Sequence, residues 1–436
     1  MTERDTLEEF QKSIPFSRLS KTFQEAVNIT RYLNLRYLWV DSLGIVQDDQ
    51  DDWEREAARM AAVYENSFLT LAASAASDGN GGCLQPLTPT SQISAYSRNL
   101  LVRPESHRDL ERLGTIGYTA PLNQRGWTFQ EALLSPRIVH FCRDQMLWKC
   151  VSRNNSEDGL LDTTTPSLQS EGLLSMQQIQ SLELSVSELY RKWHHIIQNY
   201  SWRKLKYSKD KLAALAGVIT AYQKLTRDVP LLGLWKSNLP SDLLWSSHGF
   251  QPRTDLELGV PSWSWAAGNG PVYYSGHNFN PDLYETKTEM EVIRTSISWK
   301  GIPLTSPVLS ARLEVRGRII SAVVNPRPNS NYCNLIPVQS LFAQSDIGMI
   351  GEATLDQPWP PGKSAWCLEV STTKSREVEH KVTEFDHNVL LLLPTNKPME
   401  FKRLGVGIIW HRTVLRDETK GAVNYGVVEK STIVLV

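Results

Sequence analysis

The chain has 436 residues, a length that fits two to three domains or one large core with attachments. Hydrophobic residues make up 41% and charged residues 21%, the balance of an ordinary globular protein rather than a disordered or fibrous one. The formal net charge of -1 argues against a surface built for nucleic acid or acidic membranes, although a local patch can hide inside a balanced total.

The 14 Trp exceed ordinary usage and predict aromatic packing or aromatic-lined pockets. Five scattered Cys (Cys83, Cys142, Cys150, Cys333, Cys367) include no C-x-x-C pair, so they read as free thiols of a reducing compartment rather than zinc ligands. The opening MTERDTLEEF is charged and does not read as a signal peptide. No apolar run approaches 18 residues, so no membrane span is expected. The expected setting is cytoplasmic.

In chain order, Ser20 to Asn34 has helical periodicity, with Phe23, Ala26, Val27, Ile29, Tyr32 and Leu33 on its apolar side. YLWV, residues 37 to 40, reads as a short buried strand. Four aspartates follow between Asp48 and Asp52. A second helix is expected over Asp51 to Glu65, where Trp53, Ala57, Met60 and Tyr64 share a face. FLTLAAS, residues 68 to 74, reads as another strand. Strand, helix, strand is a βαβ unit and predicts a parallel sheet.

Residues 76 to 98 read as a loop, and RGWTFQEALLS, residues 125 to 135, as a short helix. RIVHFC and QMLWKC read as strands joined by a turn at Arg143 and Asp144. Residues 152 to 180 look like a linker. Two helices are expected between Ser181 and Leu225, broken near YSWRKLKYSKD. Beyond Pro261, short β-rich runs (LEVRGRII, SAWCLEV, NVLLLLP, LGVGIIW, STIVLV) predict a mainly antiparallel module.

RYLWVDSLGIVQDDQDDWEREAARMAAVYENSFLTLAASAASDGNGGCL resembles the heterokaryon incompatibility (HET) domain of filamentous fungi. That family reads R-Y-[LI]-W-[IV]-D-S-L-C-I-[IV]-Q-D, then D-W, then M-x-x-[VI]-Y. PLNQRGWTFQEALLSPRIVHFCRDQMLWKC resembles its second block, which closes on W-E-C. YRKWHHIIQNYSWRKLKYSKDKLAALAGV and PSWSWAAGNG look like the downstream region of such proteins, so the resemblance spans most of residues 20 to 270. The usual opening Y-x-A-L-S-Y-x-W-G strand is lacking from this sequence. Gly44 stands where relatives carry Cys, and Lys149 where they carry Glu.

The resemblance implies a TIR-like or flavodoxin-like α/β parallel-sheet HET core over residues 1–152. A linker and helical segment over 153–250 and a β-rich region over 251–436 follow it. It also implies a role in fungal nonself recognition and cell death. Some TIR domains cleave NAD, which makes an NAD-consuming effector one expectation; no other cofactor is implied. This is analogy at the level of fold, and function has to be argued from the site.

Asp41 ends the expected strand, where ligands of open α/β sheets bind, or it caps its loop through backbone N–H groups. The later aspartates read as the charged start of a helix rather than as a metal site, since consecutive residues seldom converge on one ion. Glu131 shares a helix face with Trp127. A carboxyl desolvated beside an indole suits general acid work, whereas an ion pair with Arg125 has the opposite effect. Asp41 and Glu131 are therefore the candidate catalytic residues. Arg125, Trp127, Gln130, Trp263 and Trp265 are the candidate binding residues. The two tryptophans alternate in PSWSW, so one can line a pocket while the other fills a core, and core packing suits both. His194 and His195 lie on a helix without a ligand partner nearby in sequence and read as surface or cap residues.

Three functions remain open at this point: a HET-type effector acting on NAD or a related nucleotide, an acid-assisted cyclase or isomerase of fungal secondary metabolism, and a non-catalytic scaffold. The expected partners are a small-molecule ligand or another protein, with no nucleic acid and no membrane.

Overall fold

The computed structural model describes residues 1–84, 91–95, 98–102, 120–143, 145–159, 162–163, 174–247, 249, 259–274, 284–328, 330–337, 350–375, 382–414 and 428–436. No helix among them is long and apolar enough to cross a membrane. The chain divides into one unit of Met1–Leu184 with Arg203–Leu225, and a second of Ser185–Trp202 with Thr226–Val436.

The helices in chain order are α1 Leu7–Lys12, α2 Lys21–Tyr32, α3 Asp41–Gly44, α4 Gln50–Glu65, α5 Thr128–Leu134, α6 Met176–Ser181, α7 Val186–Ser201, α8 Ala216–Thr226 and α9 Leu239–Asp242. The acid cluster starts α4, as its position suggests. The Asp49 carboxylate accepts from the backbone N–H groups of Asp51 and Asp52 at 3.0 and 3.1 Å. Such a cap contributes about 1 kcal/mol. Asp52 accepts from the Val46 N–H at 2.9 Å, and Asp48 from the Arg4 N–H at 2.9 Å. These carboxylates therefore satisfy backbone donors. The expected face of α4 turns inward, with Ala57 and Met60 buried and Trp53 and Tyr64 half-buried.

The sheet of the first unit runs in the order β1 (Thr70–Ala72), β4 (Arg137–Phe141), β5 (Met146–Cys150), β6 (Asn154–Ser156), β7 (Asp162–Thr163); a separate hairpin is formed by β2 (Ser91–Ala95) and β3 (Arg98–Val102). β1 and β4 are parallel, with Thr70 opposite Ile138 and Ala72 opposite His140, and the remaining pairs are antiparallel. The sheet is mixed, so the parallel expectation holds for one pair.

The strand expected at residues 37–40 is not formed. That segment has no ladder partner among the described residues, and Tyr37 is 83% exposed. Apolar composition does not make a strand without a neighbouring backbone to bond. The loop expected over 76–98 contains β2 and the start of β3. The linker expected over 152–180 contributes β6, β7 and most of α6; residues 160, 161 and 164–173, like Asp144 of the expected turn, lie outside the described ones.

In the second unit, α7 begins with a reciprocal cap between Ser185 and Glu188 and buries Leu189, Trp193, Ile196, Ile197 and Tyr200. Two short antiparallel pairs join β8 (Pro230–Leu231) to β9 (Leu234–Trp235), and β10 (Trp245–Ser247) to β11 (Val272–Tyr274). The β-rich region comprises β12 (Tyr284–Thr288), β13 (Glu291–Trp299), β14 (Val308–Pro326), β15 (Tyr332–Pro337), β16 (Gly351–Leu355), β17 (Lys363–Ser375), β18 (Val382–Pro394), β19 (Glu400–Val414) and β20 (Lys430–Leu435). It is antiparallel except where β20 runs beside β19. Pairing of β14 with both β15 and β17 closes the ring β14-β15-β16-β19-β18-β17. The fully buried Val324, Leu335, Leu355, Cys367 and Leu391 belong to its core. Gly317 lets β14 lie close against Leu368, whose Cδ1 would stand 2.7 Å from an added Cβ.

Arg403 on β19 is fully buried. Its Nε donates to Asp356 Oδ2 at 2.8 Å, its Nη1 to the Leu243 carbonyl at 2.5 Å and its Nη2 to the Trp245 carbonyl. The guanidinium also lies 3.5 Å from the centre of the Trp245 ring. Replacing it leaves a buried carboxylate without its counter-charge. Arg403→Met is expected to destabilise the protein by about 3–5 kcal/mol in urea unfolding, and adding Asp356→Leu is expected to recover part of that loss.

Candidate functional site

The first unit brings Glu131 on α5 together with the end of α4 and the start of α3. Trp39 and Tyr64 meet edge to face, with ring centroids 5.7 Å apart, which sets the segment before α3 against α4. Gly44 is part of this contact, since an added Cβ there would stand 3.1 Å from Trp39 Nε1. A cysteine at this position would therefore press on the indole.

Glu131 is half-buried. Burial pushes its carboxyl up to about 7, and the negative charge of Asp41 adds to the rise. Arg125, the Tyr64 hydroxyl and Arg203 pull it back down. Desolvation therefore outweighs the Arg125 charge, which acts at a distance and without an ion pair within 4 Å. The Tyr64 hydroxyl is held protonated well past its usual range by its own burial, and then by the charges of Glu131 and Asp41. Asp41 opens α3 instead of ending a strand; its exposed carboxylate accepts from the Ser42 N–H at 2.7 Å.

Two more side chains organise α5. Arg203 Nη1 donates to Thr128 Oγ1 at 3.2 Å, and its guanidinium lies 4.7 Å from the centre of the Phe129 ring. Trp127 Nε1 donates to Asp210 Oδ2 at 3.3 Å, and its ring meets Trp53 edge-on at 5.9 Å. Gln130 is fully buried, and its Oε1 accepts from the Gly217 N–H at 3.1 Å. That contact needs glycine, because an added Cβ at Gly217 would stand 2.7 Å from Ala61 Cβ and 2.8 Å from Leu134 Cδ1. Gln130 therefore anchors α5 to α8.

Of the sequence candidates, Asp41 and Arg125 both act electrostatically on Glu131, and Trp127 lies one helical turn from Glu131. Trp263 and Trp265 belong to the second unit, where both are 1% exposed. The Trp263 carbonyl accepts from Trp245 Nε1 at 3.0 Å, and Trp265 Nε1 donates to the Gly233 carbonyl at 3.1 Å. Trp265 also borders a small pocket with Trp245, Ser247, Gly268, Val272 and Asp356. His194 is not a surface residue. It is buried, its Nε2 lies 2.7 Å from Asp242 Oδ1, and its ring stacks on Tyr274 at 3.8 Å. Its partner comes from a distant part of the chain, out of reach of local spacing.

Tyr64 and Arg203 were missed as site residues. Tyr64 was legible only as a core-facing helix position, although M-x-x-[VI]-Y contains it. Nothing near Arg203 in sequence links it to α5. The two departures from the family pattern lie at Gly44 and Lys149. Lys149 is on β5, where burial lowers its ammonium to about 8. The buried His140 is pushed down to about 3, first by burial and then by the Lys149 charge. Its Nδ1 lies 3.0 Å from Ser74 Oγ.

The family model of the heterokaryon incompatibility protein (HET) matches residues 2–131. Residues 2–131 of the chain are thus similar to the HET family. The matched stretch includes Asp41, Tyr64, Arg125 and Trp127 and ends on Glu131, whereas Lys149 and Arg203 lie beyond it. No curated protein and no solved structure matches the chain.

Because the folded-state value of Glu131 lies above its unfolded value of about 4.3, the folded protein binds more protons between about pH 4 and pH 7. Stability contributed through this group is therefore lost as pH rises through that window. Glu131→Gln removes the effect. Urea unfolding at pH 5 and pH 8 is expected to show the variant gaining about 1–3 kcal/mol on the wild type between the two pH values.

Proposed function

We propose that this chain is a HET-type nonself-recognition effector whose first unit carries out carboxyl-assisted chemistry on NAD or a related nucleotide. The observation that supports it most is the Glu131 carboxyl near 7, set between Tyr64 and the cations of Arg125 and Arg203. A carboxyl titrating there has both its acid and its base form populated at neutral pH, the condition under which proton transfer is most effective.

Arginine suits phosphate through its planar fork of donors, and Arg125 is exposed. Cleaving a glycosidic bond of the nucleotide develops positive charge on the sugar, which an ionised Glu131 stabilises. The Tyr64 hydroxyl supports that ionised form, while Asp41 opposes it. On this reading Trp127, fixed by Asp210, offers an aromatic surface beside the carboxyl. The TIR-like interpretation of the core is part of the same proposal.

A second reading draws on the same residue. Protonated Glu131 is a competent general acid, which suits acid-assisted cyclisation or isomerisation of a small molecule. The two readings differ in their substrate and in their pH limb: an acid-dependent rate falls as pH rises through about 7, and a carboxylate-dependent rate falls as pH drops through it. A non-catalytic scaffold predicts no turnover with either class.

Expression in a fungal host tests the main reading. The wild type is expected to depress growth and cellular NAD, and Glu131→Gln to lose about 10²–10⁴-fold of that consumption. Normal growth with unchanged NAD on wild-type expression would exclude the nucleotide reading. Tyr64→Phe is expected to raise the Glu131 titration midpoint, followed by carboxyl NMR, because it removes a group that lowers it.

A further inference from the structure

The segment following α7 in the first unit, RKLKYSK, is pinned to the start of α5. The Gly126 N–H donates to the Lys204 carbonyl at 2.7 Å, and the Lys204 N–H to the Gln124 carbonyl at 2.6 Å. Leu205 packs onto Gly126, where an added Cβ would stand 2.3 Å from Leu205 Cδ2. The bridge between Arg125 and Lys204 sets these two cations side by side.

Arg125, Lys204, Lys206 and Lys209 are all exposed. Among the described residues, none of the four forms an ion pair within 4 Å. The adjacent acid, Asp210, is buried and accepts from Trp127. Tyr207 sits among the lysines and is 52% exposed; the Lys206 and Lys209 ammonium groups stand 5.1 and 5.6 Å from the centre of its ring. A chain of net charge -1 thus carries four exposed cations without a close ion pair along this short stretch, two of them, Lys206 and Lys209, beside an open aromatic ring. This is the local patch that the balanced total conceals.

We propose that Arg125, Lys204, Lys206, Lys209 and Tyr207 form a binding surface for single-stranded nucleic acid. Cations in a row neutralise a phosphodiester backbone, and an exposed ring stacks an unpaired base. A duplex offers no free base face to Tyr207. An anionic membrane is the poorer fit, because Leu205, the aliphatic residue of the segment, packs against Gly126 instead of pointing outward. The proposal shares Arg125 with the Glu131 site, so it is tested at the lysines and Tyr207, which act on neither Glu131 nor Asp41.

Fluorescence anisotropy of the full chain with labelled RNA and DNA oligonucleotides of about 12 nucleotides tests it. The logarithm of the binding constant is expected to fall with the logarithm of salt concentration with a slope of about -2 to -3. Combining Lys204→Gln, Lys206→Gln and Lys209→Gln is expected to weaken binding at least tenfold and to remove about two units of that slope. Tyr207→Ala is expected to weaken it about fivefold or more, and Tyr207→Phe to retain it. The RNA and DNA arms separate the two sources of the strand. All four sites are exposed, and circular dichroism checks that the variants keep the fold. No binding of either oligonucleotide, binding unchanged in the variants, or capture by phosphatidylserine vesicles without oligonucleotide binding would overturn the proposal.

Discussion

Taking a carboxylate out of water costs free energy that neighbouring donors and cations only partly return. The first unit is arranged around that cost at Glu131. α5 presents the carboxyl, α4 supplies the Tyr64 hydroxyl, and the first residue of α3 brings the opposing charge of Asp41. Arg125 and Arg203 compensate incompletely, so the group stays near neutrality instead of being locked as an ion. Full compensation would yield a structural ion pair, and no compensation a permanently neutral acid. The intermediate balance leaves both protonation states of this carboxyl within reach near pH 7. Gln130 and Gly217 hold the helix that carries it.

The second unit meets the same constraint by hydrogen-bonding its buried charged groups, while the buried Trp263 Nε1 and Tyr274 hydroxyl have no hydrogen-bond partner among the described residues. Arg403 spends its donors on Asp356 and two carbonyls, and Asp242 accepts from the Trp235 N–H and from Asn238, each at 2.6 Å, beside its contact with His194. The serines of PSWSW do likewise: Ser264 Oγ donates to the Leu232 carbonyl at 2.7 Å and Ser262 Oγ to the Val436 carbonyl at 2.5 Å. Such networks are worth keeping only when nearly every member is satisfied. Trp193, Trp235, Trp263 and Trp265 are all fully buried in this unit, so much of the tryptophan excess is core material.

Helices α2, α4, α5 and α7 were legible because each carries its apolar period within a few residues, and α4 and α7 carry their side-chain caps there as well. The strands beyond Pro261 were legible because runs such as LLLLP and VGIIW have few other folds open to them. YLWV was misleading for the same reason: its composition is that of a strand, but a strand is defined by a neighbour. His194 misled in the other direction, since its partner Asp242 is remote in sequence. Glu131 was visible through its i, i+4 relation to Trp127, yet the competition between burial and Arg125 had no outcome until both distances and exposure were set.

The sequence by itself determined the family signature, the start of α4 at the acid cluster, and the change from helical to β-rich structure near Pro261. These follow from spacings and caps that act over one or two turns of chain. Tertiary structure alone decided the titration of Glu131, the burial of His194 and Arg403, the closure of the strand ring through β14, and the exposure of the lysines around Tyr207. Each of these depends on which groups arrive from elsewhere in the chain. Desolvation and Coulomb energies change with a few ångströms of separation, and linear order does not specify them.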